Sequence, residues 1–180
     1  MAWTVWICGR PGSGKSTIAR ALLSLLEERG LHAQILGTDI LRKVVTPEPT
    51  YTEKEREIVY AVLVFIAKIL NLNGVNVILD ATANRKAYRE KGKQEIENLL
   101  IAYVDCPLEV CMKREAERKE TYGAPRDIYK RGLTGESNTV PGIGVPYEEP
   151  EKPDILLDSV RFTAEENAEK ILNKILEHYY

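Results

Sequence analysis

The chain has 180 residues, a formal net charge of −2 and 44% hydrophobic residues. This length predicts a single domain, 1–180, with enough apolar side chains for a core. The small net charge and the absence of a long apolar run argue against long nucleic acid and membranes as partners. The three cysteines form no C-x-x-C pair and no signal peptide is recognisable, so we expect reduced thiols in a cytoplasmic protein.

The first predicted elements are a strand, a glycine-rich loop and a helix. Residues 4–8 are apolar and rich in β-branched and aromatic side chains, which is typical of a buried strand. Residues 9–16 read GRPGSGKS and fit G-x-x-x-x-G-K-[ST], the phosphate-binding P-loop. Apolar residues at helical spacing follow from Ile18 to Leu26, and Gly30 ends this helix. This order of elements is the one that a P-loop requires.

The P-loop predicts a bound nucleoside triphosphate with Mg²⁺. Its glycines allow the backbone to curl so that successive N–H groups point at phosphate oxygens. Lys15 is expected to reach the β- and γ-phosphates, and the Ser16 hydroxyl is expected to bind Mg²⁺. The helix that begins near Gly14 directs its positive end at the same anion. The predicted nucleotide-binding residues are Gly9, Gly12, Ser13, Gly14, Lys15, Ser16 and Thr17.

Strands and helices alternate through the rest of the chain. Further strands are predicted at 32–36, 75–79, 100–104 and 155–157, and further helices at 52–70, 85–99, 107–119 and 164–180. This alternation predicts a three-layer α/β fold, with a five-stranded parallel sheet covered by helices on both faces. The helix at 52–70 is apolar nearly all round from Ile58 onward, which indicates burial on several sides or a subunit interface.

A long irregular segment, 121–153, precedes the last predicted strand. It is rich in proline and glycine, and its basic residues are concentrated in its first part. Loops of this length within a compact domain are usually functional, so we predict a basic lid here. Arg126, Lys130 and Arg131 are candidates for phosphate contacts because they lie in this lid.

Aspartates follow three of the predicted strands, at Asp39, Asp80 and Asp105. The carboxyl ends of parallel strands meet at one edge of the sheet, so Asp39 and Asp80 are expected near the P-loop. Phosphoryl transfer needs Mg²⁺ and a group that takes the proton of the nucleophile. Asp80 is expected to hold Mg²⁺ through water, together with Ser16. Asp39 is expected either to orient or deprotonate the acceptor hydroxyl, or to be one of the metal ligands. The catalytic candidates are therefore Lys15, Asp39 and Asp80. Capping of the next helix is the alternative for these aspartates, and it is the preferred interpretation of Asp105.

From Asp39 onward the chain resembles the adenylylsulfate kinases. The resemblance rests on three segments, 103–114 (YVDCPLEVCMKR), 128–137 (IYKRGLTGES) and 146–154 (PYEEPEKPD). That family uses ATP and Mg²⁺ to phosphorylate the 3′-hydroxyl of adenosine 5′-phosphosulfate, which yields 3′-phosphoadenosine 5′-phosphosulfate. The resemblance therefore implies an ATP-dependent phosphotransferase of sulfate assimilation with a P-loop kinase fold, and it also implies a homodimer.

The resemblance implies roles for individual residues as well. Arg114 matches an arginine that lies against the adenine of ATP. Asp39 and Arg42 match a signature in which the aspartate lies at the reacting hydroxyl and the arginine contacts the phosphosulfate. Tyr51 stands where the family has a phenylalanine stacked on the substrate adenine, and Arg56 matches a second phosphosulfate arginine. The residues that match the lid over both nucleotides include Lys130, Leu133 and Thr134.

Three departures from the family pattern concern the acceptor half of the site. Gly37 stands where the family has an aspartate, Val59 stands where it has an asparagine, and 81–84 (ATAN) aligns with its Phe-Ile-Ser-Pro segment. The sequence at 79–85 is more similar to P-loop kinases of other small hydroxylated substrates or of 5′-hydroxyl polynucleotide ends. Adenylylsulfate is the leading acceptor, another alcohol or a 5′-hydroxyl end is the alternative, and a non-catalytic nucleotide-binding module is the third hypothesis.

Overall fold

A computed structural model describes residues 2–180 and contains one five-stranded parallel sheet. The sheet order is β2-β3-β1-β4-β5. The strands are β1 (Thr4–Cys8), β2 (Ala33–Gly37), β3 (Asn76–Asp80), β4 (Leu99–Asp105) and β5 (Ile155–Asp158). The helices are α1 (Lys15–Glu27), α2 (Thr38–Val45), α3 (Glu53–Leu72), α4 (Lys86–Glu95), α5 (Leu108–Glu117), α6 (Ile128–Leu133) and α7 (Ala164–Tyr179). The predicted three-layer α/β fold with a five-stranded parallel sheet is confirmed.

The central strand β1 is buried on both faces, which explains its uninterrupted apolar sequence. Val5 and Ile7 belong to a core cluster that contains residues of α1 and α7. Trp6 and Cys8 belong to the cluster on the other face, which contains residues of α3 and α4. Side chains alternate across a strand, so a strand covered on both sides needs apolar residues at every position. The loop after β1 consequently emerges at the middle of the sheet edge.

Two short helices were not predicted. Helix α2 begins at Thr38, directly after β2, and therefore places Asp39 in its first turn. Helix α6 has six residues and lies inside the predicted lid. Helix α4 ends at Glu95, earlier than predicted, because Ile96 is extended and buried before β4 begins. These differences change the local structure around the site and leave the sheet unaffected.

Helix α3 is not buried all round within a single chain. Thr52 caps it by accepting a hydrogen bond from the Glu55 N–H at 3.3 Å. Its inner face packs in the core, but Phe65 is 62% exposed and Leu72 is 73% exposed. The alternative prediction, a subunit interface on this helix, stays a prediction. No helix among residues 2–180 combines the length and the apolar character needed to cross a membrane.

Candidate active site

An open cleft of about 1370 Å³, including its mouth, lies at the carboxyl edge of the sheet. Its walls come from the P-loop, α2, α3, the end of β3, α5 and the lid. Ligands of open α/β sheets bind at this edge, where loops leave the strands. The cleft therefore brings together residues that are as far apart in sequence as Pro11 and Pro141.

The P-loop has the backbone shape of an anion cradle. Gly9, Gly12 and Gly14 adopt φ values of 155°, 77° and 101°, a region that favours glycine. A Cβ at Gly12 would collide with the carbonyl oxygen of Cys111, and one at Gly9 would lie 2.8 Å from the Ser13 Oγ. The Ser13 Oγ is itself buried and has no hydrogen-bond partner in the described chain. These features fit a phosphate group, which would use both the close backbone approach and the N–H groups.

Lys15 is buried at the base of the cleft and has a carbonyl group as its partner. Its Nζ donates a hydrogen bond of 2.8 Å to the carbonyl oxygen of Arg10. Burial lowers the pKa of Lys15, while the charges of Asp80 and Asp39 act in the opposite direction. No carboxylate lies within ion-pair distance of this ammonium group among residues 2–180. The ammonium charge is therefore free to interact with a phosphate.

Asp39 and Asp80 face the same cleft from neighbouring elements. Burial and the nearby charge of Asp80 raise the pKa of Asp39, and Lys15 and Arg42 partly offset this effect. Two carboxylates of this kind, with the Ser16 hydroxyl beside the P-loop, suit a hard cation such as Mg²⁺. Residues 2–180 contain no group of three or more Asp, Glu, His or Cys that could hold a metal. The donor set fits a Mg²⁺ ion that keeps waters and also binds phosphate oxygens.

Helix capping does not explain the aspartates. The N-cap of α2 is Gly37 and that of α4 is Arg85, and neither helix has a side-chain cap. The N-cap of α5 is Pro107, also without a side-chain cap, so the predicted capping role of Asp105 is wrong. Proline takes the N-cap position instead of Asp105, because the fixed φ of Pro107 suits the start of a helix.

The cleft lining also contains a tyrosine between two buried arginines. The Arg42 Cζ lies 4.6 Å and the Arg56 Cζ 5.9 Å from the centre of the Tyr51 ring. Arg42 forms an ion pair with Glu55, which also accepts hydrogen bonds from the Thr50 N–H and hydroxyl. Arg56 donates to the carbonyls of Tyr51 (3.0 Å) and Thr139 (2.8 Å) and has no carboxylate partner in the described chain. A buried guanidinium with only carbonyl partners is suited to bind an anion.

Arg114 also lines the cleft, where Ser159, the residue after β5, fixes its orientation. Its guanidinium donates to the Ser159 Oγ at 3.0 Å and to the Ser159 carbonyl oxygen at 2.7 Å. The guanidinium plane is thereby held in place before any ligand binds. A fixed planar cation is well suited to stack on a nucleobase.

The predicted lid residues divide into two groups. Arg131 lines the cleft, together with Arg118 at the end of α5. Lys130, Leu133 and Thr134 are exposed and lie outside the cleft lining. Their contact with nucleotides stays a prediction about the protein with its ligands bound.

The departures from the family pattern lie mostly behind the cleft wall. Ala83, Asn84 and Val59 are buried and do not line it. The Ala83 N–H donates to the hydroxyl of Tyr60 at 2.8 Å, so a tyrosine holds this segment from within the core. Ala81 and Thr82 are the two members of 81–84 that line the cleft.

Several lining residues were missed by sequence reasoning. Thr38 precedes Asp39 at the start of α2, and Tyr60 lies one helical turn after Arg56, so the spacing of both residues gave a signal. Thr82 and Thr139 had none, because they reach the cleft through loop conformation.

Comparison with known proteins decides the family. A sequence model of the family described as Adenylylsulphate kinase matches residues 1–158. The chain belongs to the adenylylsulfate kinase family. A probable adenylyl-sulfate kinase of Pyrococcus abyssi is 34% identical over 178 residues, which are 99% of this chain and 97% of that protein. One from Archaeoglobus fulgidus is 35% identical over 159 residues, 88% of this chain and 97% of its own length.

The structural comparison agrees with this assignment. The structure of Mycobacterium tuberculosis APS kinase in complex with AMPPNP and APS has a TM-score of 0.87 and 25% sequence identity. The match covers 97% of this chain and 98% of that one. The P-loop kinase fold that the sequence predicted is confirmed, and the resemblance noted in the second half of the chain is confirmed as membership of the adenylylsulfate kinase family.

Proposed function

We propose that this adenylylsulfate kinase family member transfers the γ-phosphoryl group of ATP to the 3′-hydroxyl of adenosine 5′-phosphosulfate. The observation that carries this proposal is the position of Asp39 in a cleft with a P-loop on one side and the Arg42–Tyr51–Arg56 cluster on the other. The charges of both Lys15 and Arg42 act on its carboxyl group, so it lies close to both halves. That is where a group accepting the hydroxyl proton has to stand.

Each part of the cleft has a defined task in this reaction. The P-loop and Lys15 hold the β- and γ-phosphates, and the arginines of the lining, Arg118 and Arg131, face the transferred group. Mg²⁺, when bound near Ser16 and Asp80, neutralises phosphate charge. Asp39 orients the acceptor hydroxyl and takes its proton, a task for which a raised pKa is suited.

The test is an ADP-release assay with ATP and Mg²⁺, with and without adenosine 5′-phosphosulfate at micromolar concentration. Turnover that depends on this acceptor supports the proposal, and the Lys15→Ala variant serves as the inactive control. ADP release without an acceptor would instead favour a nucleotide-hydrolysing module. Turnover with a polyol or a 5′-hydroxyl oligonucleotide, and none with adenylylsulfate, would establish the alternative acceptor.

The alternative acceptor was suggested by 81–84, and the structure limits this argument to the two residues of the segment that line the cleft. Ala83 and Asn84, which replace the serine and proline of the family, are buried and contact no ligand space. These two changes therefore alter how the segment is held, whereas Ala81 and Thr82 line the cleft and are the changes that face the acceptor.

We also propose that two copies associate through the outer face of α3. Ile58, Phe65, Ile69 and Leu72 are exposed and follow helical spacing, so they form one apolar stripe. Sedimentation of the wild-type protein and of Phe65→Glu tests this proposal, because a dimer that uses this stripe dissociates in the variant.

The location that suits this reaction is the cytoplasm, which we propose for this protein. The support is the state of the cysteines, since Cys8, Cys106 and Cys111 are all free and buried. Structural thiols of this kind suit a reducing compartment.

A further inference from the structure

The end of the lid forms a short segment that contacts both halves of the site. Residues 146–149, named here the strap, run beside 81–84. The Glu148 N–H donates to the Asn84 carbonyl at 2.8 Å, and the Asn84 side chain donates to the Pro146 carbonyl at 3.3 Å. Arg89 joins the two segments by donating to the carbonyls of Ala83 and Glu148. The strap is thus fixed to the acceptor segment along its length.

The same strap contacts the P-loop through Arg10. The Arg10 guanidinium donates to the Glu149 carboxylate at 2.7 Å, and its Cζ lies 5.2 Å from the centre of the Tyr147 ring. The Arg10 carbonyl is the group that accepts the hydrogen bond from Lys15. A displacement of the strap would therefore be transmitted to Lys15 through a single residue, Arg10.

Tyr147 connects the strap to both 81–84 and the P-loop through a single carbonyl group, that of Thr82. Its hydroxyl donates to the Thr82 carbonyl oxygen at 3.1 Å, and the Gly9 N–H approaches the same oxygen at 3.4 Å. Its ring stacks on Tyr103 at 6.2 Å, which fixes the direction of the hydroxyl. Burial raises the pKa of Tyr147 well above its ordinary value, so the hydroxyl stays a donor. This bond holds the peptide group of Thr82, a residue that lines the cleft.

We infer that Tyr147 is a positioning residue that aligns the acceptor segment 81–84 with the P-loop. The inference rests on the proposed phosphoryl transfer, but the mechanical link exists in the ligand-free protein. A second tyrosine of the lid offers a matched control, because the Tyr129 hydroxyl donates to the Pro11 carbonyl of the P-loop at 2.7 Å. The two hydroxyls thus fix carbonyl groups on opposite halves of one cleft.

The experiment compares Tyr147→Phe with Tyr129→Phe, since each change removes one hydroxyl and keeps the ring. For Tyr147→Phe we expect the KM for adenylylsulfate to rise about five- to tenfold, as for loss of one hydrogen bond, with the ATP KM within about twofold. For Tyr129→Phe we expect the reverse pattern. Hydrogen exchange of the ligand-free protein provides a second readout, and the Gly9 amide should exchange faster in Tyr147→Phe only.

The outcomes separate this inference from the proposed function. An unchanged adenylylsulfate KM in Tyr147→Phe, or an equal rise of both KM values, would overturn the positioning role. If the wild-type protein does not phosphorylate adenylylsulfate, the proposed function fails and the exchange rate at Gly9 decides the inference. An unchanged rate overturns it, and a faster rate confined to Gly9 and 81–84 supports it.

Discussion

Gly37 on β2 and Asp80 on β3 are register partners in the parallel sheet. The resemblance places an aspartate at the position of Gly37, and in this chain the paired residue of the adjacent strand, Asp80, is a carboxylate. Gly37 has a φ of −114°, which any residue can adopt. A Cβ at this position would lie 3.6 Å from the Asp80 carbonyl oxygen, an ordinary contact. Gly37→Asp can therefore be introduced without backbone strain and without a close contact of its Cβ.

This pairing predicts a rescue. Asp80→Asn should lower kcat by about 100-fold, because the carboxylate expected to hold Mg²⁺ through water becomes a neutral amide. Adding Gly37→Asp should raise the kcat of Asp80→Asn by at least about tenfold, because it returns a carboxylate to the same edge of the sheet. Calorimetric titration of Mg²⁺ into the ADP complex should follow the same order of variants.

The single variant Gly37→Asp is the control for this rescue. It places a third carboxylate near Asp39 and Asp80, so it should raise the pKa of Asp39 further and not improve activity. Failure of the double variant to bind Mg²⁺ better than Asp80→Asn would contradict the interchange of the two positions.

Asp39 should show a conflict between activity and stability. Its pKa is raised in the folded protein, mainly by burial and then by Asp80. Protonated Asp39 stabilises the fold at a pH below its pKa in the unfolded chain. This stabilisation is lost as the pH rises through its pKa in the folded protein. The charged carboxylate thus weakens the fold at neutral pH, and Asp39→Asn should unfold at a higher urea concentration than the wild type at about pH 8. This gain should shrink as the pH falls through the raised pKa of Asp39, because the wild-type carboxyl group then becomes neutral as well.

The same variant should lose kcat by at least about 100-fold while the ATP KM changes little, because the carboxylate acts at the acceptor. In the wild type, kcat should fall on acidification at a higher pH than an ordinary aspartate would give. A change limited to the ATP KM would place Asp39 among the metal ligands instead.

The sequence predicted the sheet because buried parallel strands are continuous apolar runs, as at 4–8 and 75–79. It did not predict α2, because eight residues that begin directly after β2 show neither a cap nor several turns of periodicity. The P-loop residues were predicted because their spacing is local. Thr82 and the strap could not be placed, since Tyr147 reaches the Thr82 carbonyl across 65 residues of sequence through packing alone.

Arg56 should act on the acceptor and leave the nucleotide unaffected. Its guanidinium uses two different nitrogens to bind the carbonyls of Tyr51 and Thr139, a geometry that a lysine cannot reproduce. Arg56→Lys should therefore raise the adenylylsulfate KM by about tenfold, with the ATP KM within about twofold. The control is Lys68→Ala on the same helix, because its ion pair with Glu95 is exposed and its loss should change neither KM.

Ser159 should affect how well Arg114 binds ATP. The guanidinium of Arg114 is held by the Oγ and the carbonyl oxygen of this one residue, at 3.0 Å and 2.7 Å. Ser159→Ala removes the first contact and keeps the second, so the arginine stays in the cleft but can rotate. We expect the ATP KM to rise about three- to tenfold and the adenylylsulfate KM to stay within about twofold, measured by varying each substrate in turn. Arg114→Ala should raise the ATP KM at least as much as Ser159→Ala does. The double variant should resemble Arg114→Ala alone, because the serine acts only through the arginine. Additive losses would show that Ser159 contacts the nucleotide by itself.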